Sequence, residues 1–144
     1  MMKAMAFSHM AISCKDPLII EKFYCRYFGF KRARVVPLGN DQIVFLKRDD
    51  MHLELFQATA PASLPPASDS GPEYPAWRHL AFQVDDVDAV LAEMGQDAAI
   101  TLGPANFDDF IRGWRTVWIA DPEGNIVEIS QGYSDQENPP PAPA

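Results

Sequence analysis

One pattern of residues occurs twice in this chain, and this internal repeat constrains the fold more than any other feature. The segment HMAISCKD, which begins at His9, aligns with HLAFQVDD, which begins at His79, so that His, Ala and Asp recur in the same places. An apolar stripe with helical spacing follows each segment, and three short β-like runs follow each stripe. Internal similarity of this kind is typical of a duplicated structural unit. The sequence therefore predicts two tandem βαβββ modules.

Both predicted helices have recognisable ends. Asp16 is a suitable N-cap and Pro17 a suitable first-turn residue for the first helix, which should end at Gly29, while Gly95 should end the second. Strands are predicted at 31–37, 42–47 and 51–57 in the first half and at 98–104, 115–120 and 125–130 in the second. The predicted fold class is α+β, a curved eight-stranded mixed sheet that forms a cup with the helices outside.

The proline-rich stretches indicate how the chain is organised. We expect a single domain over residues 1–133, with module one at 6–57, a linker at 58–75 and module two at 76–132. The linker is rich in proline and small residues, which makes a helix or strand there improbable. The tail at 134–144 is also proline-rich and lacks periodic apolar residues, so we expect it to be disordered or extended.

Charge and hydropathy favour a small-molecule partner. The net charge of −8 disfavours binding to nucleic acid, which needs clustered Lys and Arg. No run approaches the ~20 apolar residues needed to span a bilayer, and the first residues lead into a strand pattern instead of a signal peptide, so we expect a cytoplasmic protein without a membrane partner. Cys14 and Cys25 have no CxxC spacing and are expected to be buried, reduced thiols.

Strand alternation predicts that four ligand-type side chains share the helix-free faces of the sheet. In the opening strands, the apolar phase should pack on the helix, which leaves His9 and His79 on the opposite face. In the closing strands, Glu54 and Glu128 also avoid the helix side. A carboxylate in a cavity costs several kcal/mol unless it is paired or bound to metal. The sequence therefore predicts a mononuclear centre, and the alternative is four satisfied polar residues without an ion.

The ligand types limit the metal. Mixed nitrogen and oxygen ligands suit one divalent ion, Zn²⁺, Ni²⁺, Fe²⁺, Mn²⁺ or Co²⁺. Four protein ligands leave a position for water or substrate only in five- or six-coordinate geometry, and catalysis needs that open position.

At these residues the sequence resembles the vicinal oxygen chelate superfamily, which has the glyoxalase, bleomycin resistance and extradiol dioxygenase fold. The resemblance spans Phe7 to about Gly132. It rests on FSHMAISCKDPLIIEKFYCRYFGF, HLELF, RHLAFQVDDVDAVLAEM and RTVWIADPEGNIVEI, of which the last two together are the most specific.

This resemblance implies a ligand set and a chemistry. The family's ligand positions correspond to His9, Glu54, His79 and Glu128, and a complete His/Glu/His/Glu set is most similar to glyoxalase I. That similarity implies a lyase or isomerase acting through an enediolate-type intermediate, with Glu128 as general base and Glu54 as the alternative. The other classes considered are methylmalonyl-CoA epimerase, which commonly has Gln at the second position, extradiol dioxygenase and a non-catalytic antibiotic-binding protein.

Four further residues are candidates for contact with substrate, each with a simpler interpretation beside it. His52 lies two residues from Glu54, and Arg115 offers a positive charge, although both are also compatible with an ordinary exposed strand. Trp118 and Phe110 offer an apolar wall, or simply core or dimer packing. We expect a homodimer, and whether the metal ligands come from one chain or two is left open.

Overall fold

The computed structural model describes residues 4–144 and contains the predicted βαβββ pattern twice. The first set is β1 (Met10–Cys14), α1 (Pro17–Phe28), β2 (Lys31–Leu38), β3 (Asp41–Arg48) and β4 (Met51–Gln57). The second is β5 (Leu80–Gln83), α2 (Val87–Met94), a 3-10 turn (Gly95–Asp97), β6 (Ala99–Asn106), β7 (Arg115–Ala120) and β8 (Ile126–Gln131). The α+β fold class is confirmed.

Each set forms its own four-stranded mixed sheet. The strand orders are β1-β4-β3-β2 and β5-β8-β7-β6, so the two sheets have the same topology. The first and last strands of each set are parallel neighbours, and the remaining pairs are antiparallel. Ala11 consequently lies opposite Glu54, and Ala81 lies opposite Glu128. Residues directly opposite one another share a face, so the register carries each glutamate to the face of the opening strand that the sequence predicts.

The helix ends follow the capping residues. The side chain of Asp16 accepts hydrogen bonds from the backbone N–H groups of Leu18 and Ile19 at 3.2 and 3.4 Å. Gly29 ends α1 in the left-handed conformation, with φ of 70°, where glycine carries no steric penalty. Asp86 caps α2 by accepting from Ala89 at 3.0 Å, and Gly95 follows its last turn.

Each helix covers the apolar face of its own sheet. The buried apolar side chains of the first sheet are Cys14, Val44, Leu46, Leu53 and Leu55, and α1 contributes Ile20, Phe23, Tyr24 and Phe28. In the second, Val117, Ile119, Val127 and Ile129 are buried together with Val87 and Met94 of α2. Burying one such side chain stabilises the fold by about 1.5–3 kcal/mol, which makes the helix-facing side the core and leaves the opposite face for polar residues.

The chain divides into two compact units whose boundaries differ from those of the modules. Unit 1 runs to Pro66 and also includes the β7–β8 turn, Asp121–Gly124, while unit 2 comprises Ala67–Ala120 and Asn125–Ala144. Within unit 1, the Glu123 carboxylate accepts the backbone N–H groups of Lys15 and Asp16, the second at 2.9 Å. The Tyr24 hydroxyl donates to the buried Asp121 carboxylate at 2.9 Å. A turn from the second repeat therefore completes the first unit.

In the described chain, neither a helix nor a strand occurs between β4 and β5, or after β8. Cys14 and Cys25 are free thiols, as expected, but only Cys14 is fully buried. Burial, reinforced by the charges of Glu123 and nearby acids, raises the pKa of the Cys14 thiol to about 12. None of the helices in the described residues has the length and apolar character that a membrane crossing requires.

Candidate metal centre

In unit 1, the predicted ligands His9 and Glu54 lie in contact. His9 immediately precedes β1 and Glu54 lies in β4, and the distance from Nε2 to Oε1 is 3.4 Å. The His9 side chain is 38% exposed and that of Glu54 15%. Ser8 Oγ lies 2.8 Å from Nδ1 of His9, and the ring meets Phe45 edge-on at 5.7 Å between centroids. A hydroxyl can donate or accept, so Ser8 leaves the His9 tautomer undetermined.

In unit 2, the equivalent pair is shorter and more strongly supported. His79 Nε2 lies 2.8 Å from Glu128 Oε2, and the side chains are 20% and 12% exposed. Nδ1 of His79 lies 2.6 Å from the Ser70 carbonyl oxygen, which can only accept, so Nδ1 carries the proton and donates it. The buried Thr116 hydroxyl donates to the other Glu128 oxygen at 2.7 Å. Both members of this pair are thus held in orientation.

The donor set fits a divalent ion. When Nδ1 of a neutral His79 ring carries the proton, Nε2 presents a lone pair to the carboxylate oxygen of Glu128. Nε2 and this oxygen are then both hydrogen-bond acceptors, and a proton or a cation between them is needed to hold them so close. Ligands bonded at about 2.0–2.2 Å in octahedral or tetrahedral geometry lie about 3.0–3.4 Å from one another. The separations of 2.8 and 3.4 Å in the two pairs are close to that range. A carbonyl acceptor on the second ring nitrogen is also the usual support of a metal-binding histidine.

Each unit supplies two ligands of the predicted four. Within the described part of either unit, no third His, Cys, Asp or Glu joins its pair to form a metal-binding group. The structure therefore places one His–Glu pair on each sheet. The four-ligand centre of His9, Glu54, His79 and Glu128 stays a prediction.

Two of the predicted substrate residues share a face with a ligand. His52 lies two residues from Glu54 along β4, is half-buried and lies opposite Lys47 of β3. Trp118 lies opposite Glu128, and its ring meets that of His79 at 6.4 Å. The Trp118 Nε1–H is buried and has no hydrogen-bond partner within residues 4–144, which costs about 1–3 kcal/mol.

An aromatic run continues from Trp118 within unit 2. The ring of Phe107 lies 6.3 Å from Trp118, 5.3 Å from Trp114 and 6.4 Å from Phe110. Phe110, the other predicted apolar contact, is 79% exposed. The run thus connects the surface near Phe110 to the aromatic neighbour of His79.

Arg115 lies away from this face. It shares the helix-facing side of β7 with the buried residues Val117 and Ile119, and its guanidinium binds Asp88 of α2 at 2.9 Å and Asn106 at 3.0 Å. Strand alternation already indicates this placement, since Arg115 is in phase with the apolar residues of β7. Its observed contacts link strands and helix, and they do not join it to the ligand pair.

Two supporting residues were not identified from the sequence. Thr116 is in phase with Trp118 on β7, so alternation alone could have placed it beside Glu128. Ser70 contacts His79 through its backbone carbonyl, which no side-chain pattern reports. Its neighbour Gly71 has φ of 121°, and a Cβ there would lie 2.1 Å from the carbonyl oxygen of Arg78, so glycine is required where this loop passes the strand entrance.

Comparison with known proteins identifies the family. The profile of the Glyoxalase/Bleomycin resistance protein/Dioxygenase superfamily matches residues 6–129, and the chain belongs to this superfamily. Members are mostly metal-dependent enzymes.

Individual relatives cover most of the chain. The uncharacterised protein YaeR of Escherichia coli (strain K12) is 30% identical over 128 residues, which are 84% of this chain and 92% of that protein. A crystal structure of a glyoxalase family protein from Enterococcus faecalis is 30% identical, with a TM-score of 0.63 over 87% of this chain and 96% of the other. Lactoylglutathione lyase from Agrobacterium tumefaciens is 26% identical, with a TM-score of 0.58 over 88% and 93%.

Proposed function

We propose that this protein is a divalent-metal enzyme of the glyoxalase I type, a lyase or isomerase that acts on a small substrate with oxygens on adjacent carbons. The observation that supports this most strongly is the His–Glu contact, which occurs on corresponding strands of both units. The similarity to lactoylglutathione lyase supports the same reaction type.

In this proposal, His9, Glu54, His79 and Glu128 hold one ion, Zn²⁺, Ni²⁺, Fe²⁺, Mn²⁺ or Co²⁺. The bound ion supplies Lewis-acid stabilisation of the negative charge that develops on the substrate oxygens. Further, we propose a homodimer in the cytoplasm, with the four ligands drawn from one chain or from two. Small-molecule turnover needs no nucleic acid or membrane partner.

A glutamate moves the proton between the adjacent carbons of the substrate. We propose Glu128 as the general base, with Glu54 as the alternative. Their contacts support this order: Thr116 and His79 hold the two oxygens of Glu128, whereas among residues 4–144 Glu54 is held through one oxygen, by His9. Glu128 is therefore the better oriented base, and Glu54, which has fewer contacts, is the alternative.

The decisive experiment measures metal and turnover on the same samples. The purified chain is loaded separately with each of the five ions, its metal content is determined, and methylglyoxal with a thiol is supplied without oxygen. We expect metal to be retained and the hemithioacetal to isomerise, and Glu128→Gln to remove turnover while Glu54→Gln lowers it less. The reverse order assigns the base to Glu54. A protein that retains metal but turns over only methylmalonyl-CoA, or a catechol with oxygen, belongs to the epimerase or dioxygenase class.

The aromatic run of unit 2 favours a second candidate, a protein that binds an apolar ligand without turnover. The ring of Phe107 contacts the other three, and the run reaches the surface at Phe110. This candidate predicts a ligand-dependent rise in melting temperature with no product, and a metal content near zero.

A further inference from the structure

Three positively charged side chains lie on the same face of the first sheet as the His9–Glu54 pair. In the register, Arg34 lies opposite Phe45, which in turn lies opposite Glu54. One row further along, Lys31 lies opposite Lys47, which in turn lies opposite His52. Residues directly opposite one another share a face, so Lys31, Arg34 and Lys47 all lie on the face of the sheet that carries Glu54 and His52. We call these three residues the cation strip.

The cation strip differs from the other cations at this corner of the sheet, which have structural partners. Arg32 binds the Glu21 carboxylate through two contacts of 2.7 and 3.0 Å, and Arg48 donates to the Phe28 carbonyl at 2.6 Å at the end of α1. These contacts stabilise the fold, and that role is sufficient to explain why Arg32 and Arg48 are present. No such explanation holds for the cation strip.

Within residues 4–144, the three side chains of the cation strip form no ion pair and no side-chain hydrogen bond, and all three are exposed. Two of them, Lys31 and Lys47, lie directly opposite one another, an arrangement of like charges that destabilises a sheet. The arrangement is the more unusual because the chain carries 20 acidic and 12 basic residues. A cost to stability that no internal contact offsets indicates an external anion.

The surface at this place has room for such an anion. An open cavity of about 830 Å³ is lined by both lysines of the cation strip, together with Tyr27, Gly29, Arg32, Ala33, Arg48 and Asp49. Four basic residues and one acidic residue, Asp49, line this cavity, so its charge is positive on balance. A concave surface with an excess of one charge concentrates counter-ions, here small anions.

We propose that the cation strip binds the acid group of the substrate, a carboxylate or a phosphate-type oxyanion, while the adjacent oxygens of the same molecule lie at the His9–Glu54 pair. Neighbouring strands lie about 4.8 Å apart, so the backbone of Arg34, two strands from Glu54, is about 10 Å away, which is the span of a short chain of atoms. The position of the reacting end rests on the function proposed above. Anion binding by the cation strip needs no metal.

The first experiment tests the cation strip by itself. Inorganic phosphate and succinate are titrated separately into the metal-free full chain, and binding is followed by NMR shifts of the β2 and β3 amides. We expect Lys31→Gln/Arg34→Gln/Lys47→Gln to weaken the tighter-binding anion about tenfold, as expected for three solvent-exposed charge contacts. The control is Lys22→Gln on α1, an exposed lysine, which should change the affinity less than twofold. If neither anion binds, or if the triple variant binds as well as the wild type, the proposal is wrong.

The second experiment tests whether the cation strip and the metal act on one molecule. The metal-loaded protein is titrated with a straight-chain hydroxamate, which chelates through two vicinal oxygens, and with the same hydroxamate bearing a terminal carboxylate or phosphonate. We expect the charged probes to bind about tenfold more tightly than the neutral probe, with the preference lost in the triple variant and kept in Lys22→Gln. An equal affinity of all probes overturns the shared site. Failure of every hydroxamate, with anion binding intact, contradicts the proposed metal function and leaves the anion site standing.

Discussion

The two His–Glu pairs occupy equivalent strands but differ in how firmly they are held. The pair in unit 2 is 2.8 Å long, and a carbonyl and a buried hydroxyl fix its members, whereas the pair in unit 1 is 3.4 Å long and has one adaptable hydroxyl beside it. A preorganised ligand loses less freedom on binding. We infer that unit 2 provides the fixed half of the proposed centre and unit 1 the adjustable half.

The residues that surround the two His–Glu pairs also differ. Each histidine meets one aromatic ring, Phe45 beside His9 and Trp118 beside His79. In unit 2 the aromatic contacts continue from Trp118 through Phe107 to Phe110, while unit 1 places the cation strip on the face of Glu54. The two units thus share the positions of the His–Glu pair and its aromatic neighbour, and they differ in the residues further out: aromatic rings in unit 2 and positive charges in unit 1.

The largest expected effect comes from removing a histidine. His79→Ala should lower the affinity for the divalent ion by about a hundredfold or more, and His9→Ala should lower it less, because His79 enters binding with its tautomer and orientation already set. Competition with a coloured chelator measures both affinities. Equal losses would mean that the better support of His79 has no consequence for metal binding.

A smaller effect is expected from the residues that support the ligands. Thr116→Val keeps the shape of the side chain and removes the hydroxyl that orients Glu128, so metal affinity should fall about tenfold. Ser8→Ala, the matched change in unit 1, should alter it less than twofold. The same chelator assay reports both, and a larger loss for Ser8→Ala would reverse the assignment of fixed and adjustable halves.

The third prediction concerns the stability of unit 1. Tyr24→Phe removes the buried hydrogen bond to Asp121 and should lower the free energy of unfolding by about 1 kcal/mol. Tyr133→Phe in unit 2 removes an exposed hydrogen bond to Asp135 and should change it by less than about 0.5 kcal/mol. Urea unfolding monitored by circular dichroism measures both, and equal effects would contradict the assignment of the β7–β8 turn to unit 1.

The fourth prediction concerns stability at alkaline pH. Cys14 corresponds in the repeat to Val84 and Tyr24 to Met94, so the first core has two ionisable groups where the second has none. Burial raises the pKa of Cys14 from 9.0 to about 12 and that of Tyr24 well above its usual value. The unfolded chain loses these protons first, so their contribution is complete below pH 9 and is lost as the pH rises towards 12.

Urea unfolding at pH 8 and pH 10 tests this sign. The wild type should lose stability between the two values, and Cys14→Val should lose less. If Cys14→Val and the wild type lose the same free energy of unfolding between pH 8 and pH 10, ionisation of the Cys14 thiol does not contribute to that loss.

Local patterns predicted most of the fold. Apolar periodicity, capping residues and turns were sufficient for both helices and all eight strands, and strand alternation predicted the shared faces of the two His–Glu pairs. These features depend on neighbours in sequence, which is why they can be predicted without coordinates. The prediction that Arg115 contacts substrate did not use strand alternation. Alternation places Arg115 on the helix-facing side of β7 with Val117 and Ile119.

Contacts between distant residues could not be predicted in this way. The Glu123 carboxylate accepts hydrogen bonds from the backbone N–H groups of Lys15 and Asp16, just before α1, and the Ser70 carbonyl accepts one from Nδ1 of His79. One partner in each case is a backbone group, which has no residue-specific signal. The cation strip depends on pairing of β2 with β3, and a shift between Arg32 and Arg34 changes which cations share a face.

The β7–β8 turn also affects how the chain is made. Because Asp121 and Glu123 complete unit 1, the first repeat lacks these partners while it emerges from the ribosome, and it acquires them only after most of the chain has been synthesised. Domains generally fold in order from the N-terminus during translation. Here the amino-terminal half remains unfinished until the other half is nearly complete, so the two repeats mature together although each has its own sheet.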